Sequence, residues 1–493
     1  MLAYVAQLQT IAEVSPLVAN KIVKELQNQR NHLKLIASEN YSSPSCHLAM
    51  GNLLTDKYAE GYPYHRYYAG CDNVDAIEDY ACKLARDLFN AEHAYVQPHS
   101  GADANLCAYW AILNKKIQVP ELEKLGITNP TALTQEQWKL LKEKTKNQKL
   151  LALDYYSGGH LTHGYRMNIS GQIFDSYSYT VDPTTGLLNY KTIEEQAQKI
   201  KPLILLAGYS AYPRKINFRI MKEIADNCGA VLMVDMAHFA GLVAGKVFTD
   251  DYDPVKWADV VTATTHKTLR GPRGGIILCK KEFADSVNQG CPLVIGGPLP
   301  HVIAAKAVAL KQASTKEFQD YAHKIVQNAQ DLSQAFIDLA QQDVSQNLTV
   351  QTGGTDNHMM LLDVSNLKLN GRQAESVLLS CGITLNRNAL PFDKNGPWYT
   401  SGLRIGTPAI TTLGMGTPEM KEIASIITFV LKNAKPAIIT SGKNVGRPSK
   451  SKAIVPHDVQ TQALKRVHDL LSRFVLYPEI DLRFLLDNFP EPC

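Results

Sequence analysis

LILLAGYSAYPRKINFRIMKEIADNCGAVLMVD, residues 203–235, contains a complete folding unit. LILLAG (203–208) is a short apolar run, the pattern of a strand buried on both faces. FRIMKEIADNCGA (218–230) reads as an amphipathic helix, with Gly229 suited to its C-terminal cap. VLMVD (231–235) is a second buried strand. A strand, a helix and a strand at this spacing imply a right-handed crossover and a mainly parallel sheet covered on both faces. DVVTATT (259–265) and GGIILCK (274–280) continue the pattern. Ligands of such sheets lie beyond the carboxyl ends of the strands. Ser210, Asp235 and Lys267 all fall at or just after such ends.

Lys267 stands in TATTHKTLRGPRGG (262–275), next to His266 and ahead of a glycine-rich turn. A lysine amine attacks carbonyls, or forms a Schiff base with a cofactor, when its surroundings lower its pKa; otherwise it is an ordinary turn lysine. Asp235 and His238 stand in VLMVDMAHFAG. A carboxylate at the end of an apolar strand needs a cationic partner, and a protonated pyridine nitrogen is one; a turn-capping aspartate is the plainer reading, and a metal pair finds no acidic or histidine cluster to support it. In PHSGADAN (98–105), Ser100, Gly101 and Ala102 precede a helix, where free N–H groups and the helix dipole bind phosphate. SGGHLTHG (157–164) offers His160 as a stacker on a planar ring or as a satisfied loop histidine. TSGLRIGTPA (400–409) sets Arg404 among small residues, either to clamp a carboxylate bidentately or to form a structural ion pair. Taken together, these groups are what a pyridoxal phosphate (PLP) enzyme acting on amino acids needs.

At 493 residues the chain is long enough for two domains. The net charge of +4 is too small to argue for nucleic-acid or membrane-surface binding. Neither nucleotide motif, G-x-x-x-x-G-K-[ST] or G-x-G-x-x-G, is present. Nine cysteines without C-x-x-C pairing suit reduced thiols, and with no long apolar span and no signal-like N-terminus the expected location is cytoplasmic, with no metal. The expected organisation is an N-terminal helical arm (1–45), a large domain (46–320) and a smaller α/β domain (321–493). Residues 114–149 read as an insertion whose TALTQEQWKLLKEK carries a capping box at Thr134 and Gln137. Residues 439–455, rich in Gly, Ser and Lys, read as a mobile loop, solvated or phosphate-binding.

LIASENYSSP (35–44), DKYAEGYP (56–63), RYYAGCDNVD (66–75), VQPHSGADAN, SGGHLTHG, VDMAHFAGL, TTHKTLRGPRGG, GGPLPH (296–301), GGTDNH (353–358) and TSGLRIGTPAIT resemble serine hydroxymethyltransferases, and in that family's order. The resemblance implies a fold-type I PLP enzyme of aspartate-aminotransferase architecture, with a mainly parallel seven-stranded large domain. It implies a homodimer with shared sites that interconverts serine and glycine through an external aldimine and a quinonoid, with tetrahydrofolate as cosubstrate. Folate-independent aldol cleavage or alanine racemisation on the same scaffold is the alternative.

By the same resemblance Lys267 is the cofactor lysine, Asp235 the pyridine partner, His160 the ring stacker and His238 a neighbour of the ring hydroxyl. Ser100, Gly101 and Ala102 are the phosphate loop, joined by Gly296 and Gly297 of a second subunit; Ser210, Thr264 and His266 also adjoin the cofactor. Ser38 and Arg404 hold the substrate carboxylate, Glu60 shuttles protons, and Tyr58 and Tyr68 reach across the dimer. Tyr155, Gly159, His160, Leu161, Asn388 and the stretch Gly396, Pro397, Trp398 face folate. The chain departs from the family pattern at three places. Ala102 stands where a serine or threonine is usual, Asp103 where a glutamine is usual, and Tyr155-Tyr156-Ser157 where L-x-H is usual.

Overall fold

The computed structural model describes residues 2–146, 148–343 and 347–492. Two helices open the chain, α1 (Leu2–Val14) and α2 (Pro16–Asn31). A seven-stranded sheet follows: β1 (His93–Tyr95), β2 (Lys149–Leu153), β3 (Asp175–Tyr179), β4 (Ile204–Gly208), β5 (Val231–Asp235), β6 (Val260–Thr264) and β7 (Gly275–Cys279). Their order across the sheet is β1-β7-β6-β5-β4-β2-β3. Only β7 runs antiparallel to its neighbours.

Every residue of β4 to β7 is buried, because helices cover both faces of the sheet. Side chains alternate between the two layers. Leu205, Leu232, Val234, Val261 and Ile276 pack with helix α4 (Phe218–Cys228) on one face. Leu206, Val231, Met233, Val260 and Ile277 pack with α3 (Gly101–Leu113) on the other. Gly229 caps α4 in the left-handed conformation, at φ 77°, as the sequence predicts.

Helix α5 (Pro300–Ala313) leads into the 27-residue α6 (Lys316–Gln342). The first half of α6 buries Phe318, Ala322 and Ile325 in the large core, and the second half buries Leu332 and Phe336 in a separate one. That second core belongs to the smaller C-terminal domain. Its antiparallel sheet orders β8 (Thr349–Val350), β9 (Met359–Asp363), β11 (Gly402–Gly406) and β10 (Asn386–Asn388). The N-terminal arm is bound to this domain, since Leu33–Lys34 pairs in parallel with Ile383–Thr384.

Two segments that read as additions are built differently. Helix Gln135–Thr145 starts with the expected reciprocal cap between Thr134 and Gln137; Asn147, in the same insertion, lies outside the described residues. The stretch 439–455 is not a loop throughout. Pro448–Ile454 forms a strand antiparallel to Lys435–Ile438. Its side chains alternate between half-buried and exposed, so composition gave no apolar signal. The small domain holds it through its backbone: Asn370 Nδ2 donates to Lys450 O at 2.8 Å and Gln373 Nε2 to Ser449 O at 2.6 Å.

Candidate active site

The carboxyl ends of β4, β5 and β6 and the edge of the small sheet enclose a cavity of about 550 Å3. Ser38, Ser210, His160, His238, Lys267 and Arg404 line it. Tyr155, Gly159, Leu161, Asn388 and Pro397 complete one wall. Two larger clefts, of about 780 and 760 Å3, lie against helix Gln135–Thr145 and the N-terminal helices, away from these groups.

Lys267 follows β6, and its Nζ donates to Thr264 Oγ1 at 3.1 Å. Burial pulls its pKa down to about 8; Asp235 opposes this, while Arg404 and Arg273 add to it. The loop is held at its backbone, where Asn40 Nδ2 donates to Lys267 O at 3.0 Å.

Asp235 ends β5 and is only 7% exposed. Burial alone would raise its pKa. Hydrogen bonds from His163 Nε2 (3.0 Å) and Asn105 Nδ2 (2.9 Å), with the histidines nearby, hold it instead below the usual carboxylate range. Ala237 N donates to the other oxygen at 2.9 Å. His163 Nδ1 accepts from His160 N, which leaves Nε2 as the proton-bearing nitrogen facing Asp235. His160 Nδ1 accepts from Thr162 N, and burial lowers its pKa to about 4. His238 is likewise pushed well below its ordinary value by burial and by Lys267 and Arg404.

Arg404 points from β11 into the cavity. Nε donates to Asn386 Oδ1 at 3.1 Å and Nη1 to Ser210 O at 2.7 Å. Burial lowers its pKa to about 10, and it has no carboxylate partner among the described residues. A half-buried guanidinium with no carboxylate partner favours an anion at this position.

Helix α3 starts next to Lys267. Ser100 caps it, accepting from Asp103 N at 3.1 Å and donating to Asp103 Oδ2 at 2.9 Å. The N–H groups of Gly101 and Ala102 stay free for an anion. A Cβ on Gly101 would stand 2.7 Å from Thr264 Cγ2, so the helix start adjoins the residue that holds Lys267 Nζ. His266 is tied to the same corner, its Nδ1 accepting from Gly274 N at 3.4 Å.

Other predicted residues gather elsewhere. Tyr58 OH donates to Glu60 Oε1 at 3.2 Å, its ring lies 4.8 Å from that of Tyr68, and it packs on Gly297 beside Gly296. None of these five lines the cavity of its own chain. Trp398, 60% exposed, packs against Arg372 and Arg387 outside the cavity, as Gly396 also lies outside it.

Sequence reasoning passed over His163, Asn105 and Asn40. His163 had a signal, as the second histidine of SGGHLTHG; the partners of the other two are remote in sequence.

The family model described as serine hydroxymethyltransferase matches residues 11–126 and 137–427. The chain belongs to the serine hydroxymethyltransferase family. Relatives bearing that name are similar over nearly its whole length. The one from Treponema pallidum is 61% identical over 99% of this chain and 83% of its own. The one from Salinispora tropica is 54% identical over 97% and 98%, and that from Chlamydia pneumoniae 51% over 98% and 95%. Membership fixes the architecture as fold-type I. It lends no support to aldol cleavage or alanine racemisation as the reaction.

Proposed function

We propose that this chain interconverts serine and glycine, with tetrahydrofolate carrying the one-carbon unit and PLP held at Lys267. The observation that carries this reading is a cavity lined by an amine of lowered pKa and by a guanidinium without a carboxylate partner, with Asp235, a carboxylate held ionised, within electrostatic reach of that amine. The donor set fits PLP: Gly101 and Ala102 N–H for the phosphate, Lys267 for the aldehyde carbon, and Asp235 for a protonated ring nitrogen. When bound, PLP supplies the electron sink for cleavage at the amino acid's Cα.

The chain's own groups do the rest. Arg404, with Nη2 still uncommitted, binds the substrate carboxylate as a fork, and Ser38 assists. Lys267, with a pKa of about 8, keeps roughly a tenth of its amine neutral at pH 7, far more than an ordinary lysine. Asp235 retains its charge because His163 and Asn105 donate to it, and so would hold a proton on the ring nitrogen of bound PLP. His160, kept neutral by burial, presents an uncharged face to an aromatic ring. Tyr155 and Leu161 form the wall against which a second, planar substrate rests. Glu60, carried with Tyr58 on the surface of one chain, moves protons in the site of a second. Among the described residues no helix is long and apolar enough to cross a membrane. We infer a homodimer, since Tyr58 and Glu60 do not line their own chain's cavity, and, from cysteines left unpaired among the described residues, a cytoplasmic location.

Absorbance spectroscopy tests the reading. Glycine is expected to induce a long-wavelength band that grows on adding tetrahydrofolate. A spectrum indifferent to folate overturns the assignment.

A further inference from the structure

Lys306, on α5, is 1% exposed. Its Nζ donates to three carbonyl oxygens: Val96 at 2.6 Å, Pro98 at 2.9 Å and Gly275 at 2.9 Å. It has no ion-pair partner among the described residues. Burial draws its pKa to about 7, with Glu78 opposing. Three acceptors require three N–H donors, and only the ammonium has three.

Its acceptors outline one feature. Val96 and Pro98 lead into Ser100, Gly101 and Ala102, and Gly275 opens β7 alongside them. Gly275 N also donates to Pro98 O at 2.9 Å. The packing leaves no slack: a Cβ on Gly275 would strike Ser100 O, and one on Gly274 would strike Lys306 Cε. Gln97, between two of the bonded carbonyls, is fixed from the other side. Its Nε2 donates to Glu78 Oε1 at 2.6 Å and to Gly61 O at 2.8 Å. Lys306 is thus a cation bonded directly to the backbone that leads to the free N–H groups at α3's start.

We propose that Lys306 is a positioning residue for phosphate: its buried ammonium fixes the 96–98 backbone so that Gly101 and Ala102 N–H converge on the cofactor's phosphate. The proposal rests on the reading of residues 100–102 as the phosphate cradle. Lys306 does not touch the phosphate; it acts through the loop, and its charge adds to the field there.

Comparing PLP with its dephosphorylated form, pyridoxal, tests this. Dissociation constants for both are measured on full-length protein freed of cofactor, alongside thermal unfolding. Wild type is expected to bind PLP more tightly than pyridoxal. Lys306→Met is expected to raise the PLP constant about tenfold or more, the worth of a charge-assisted contact, while pyridoxal binding changes less than about twofold. Gly274→Ala, which crowds Cε while keeping the charge, is expected to show the same selective loss if Lys306→Met does not fold. Equal losses for both ligands, or an unchanged PLP constant, overturn the role of Lys306. A wild type that does not distinguish the two ligands overturns the cradle itself.

Discussion

His163 Nε2 donates to Asp235 Oδ2 across 3.0 Å, joining a loop histidine to a strand-end carboxylate 72 residues away. This bond and its neighbours outweigh a burial that would otherwise neutralise Asp235. The sign of the pH effect follows. The folded pKa is depressed, so the stability contributed by Asp235 is present above the unfolded carboxylate pKa of about 3.9 and is lost as pH falls through the folded value. His163→Ala raises the folded value. The acid limb of thermal unfolding is therefore expected to move to higher pH, with a loss near neutrality of roughly 1.5–3 kcal/mol. An unmoved acid limb refutes His163 as the group that keeps Asp235 charged.

Lys267 yields a second pH prediction, set by its neutral form rather than its charged one. Its pKa of about 8 lies below the ordinary lysine value, so the neutral amine forms earlier as pH rises. In protein freed of cofactor, the rate of PLP capture is expected to fall about tenfold per pH unit below that midpoint and to level off above it. Borohydride should then fix the cofactor on Lys267, and Lys267→Ala should leave nothing fixed. Peptide mapping that finds it on another lysine defeats the assignment.

Asp235 and Lys267 were legible because fully buried strands write themselves as apolar runs, and a charged residue ending such a run stands out. Asn105 and Lys306 were not, because each looks ordinary in its own segment; His163 had a signal as the second histidine of SGGHLTHG, but its pairing with Asp235 had none. Lys306 sits in HVIAAKAVALKQAS like any helix lysine, and only the fold brings Val96, Pro98 and Gly275 to its ammonium. The strand Pro448–Ile454 was missed for a related reason: it is held through backbone contacts, with no apolar face to announce it. Trp398, which the resemblance sets beside folate, does not itself line the cavity; its ring packs on Arg372 and on Arg387, and Arg387 does line it.

On the proposed function, Arg404 carries the specificity for an amino-acid carboxylate. Removing one partner of a buried charge pair costs about 3–5 kcal/mol. For Arg404→Ala, kcat/KM for serine is expected to fall by about two to four orders of magnitude, the same energy expressed as a rate ratio. Arg404→Lys should recover only part of this, since an ammonium lacks the planar fork. Serine should raise the unfolding temperature of the wild type and not of Arg404→Ala. Retained stabilisation by serine would place the carboxylate elsewhere.

Tyr58, Glu60, Tyr68 and Gly297 form a compact group on the surface of one chain, with Tyr58 53% exposed, and none lines that chain's own cavity. On the proposed function, a proton carrier so placed serves a second subunit across a two-fold axis rather than its own Lys267. Lys267→Ala and Glu60→Gln each remove a different half of a shared site. In a re-paired mixture of equal amounts, half the dimers are mixed. Each mixed dimer has one site with both native residues and one with neither. Activity is then expected to return to about one quarter of the wild-type value from two inactive parents. Subunit exchange is verified by mass, using one tagged parent. A mixture that exchanges and stays inactive would mean that Glu60 works within its own chain, through a rearrangement that brings it to the cavity.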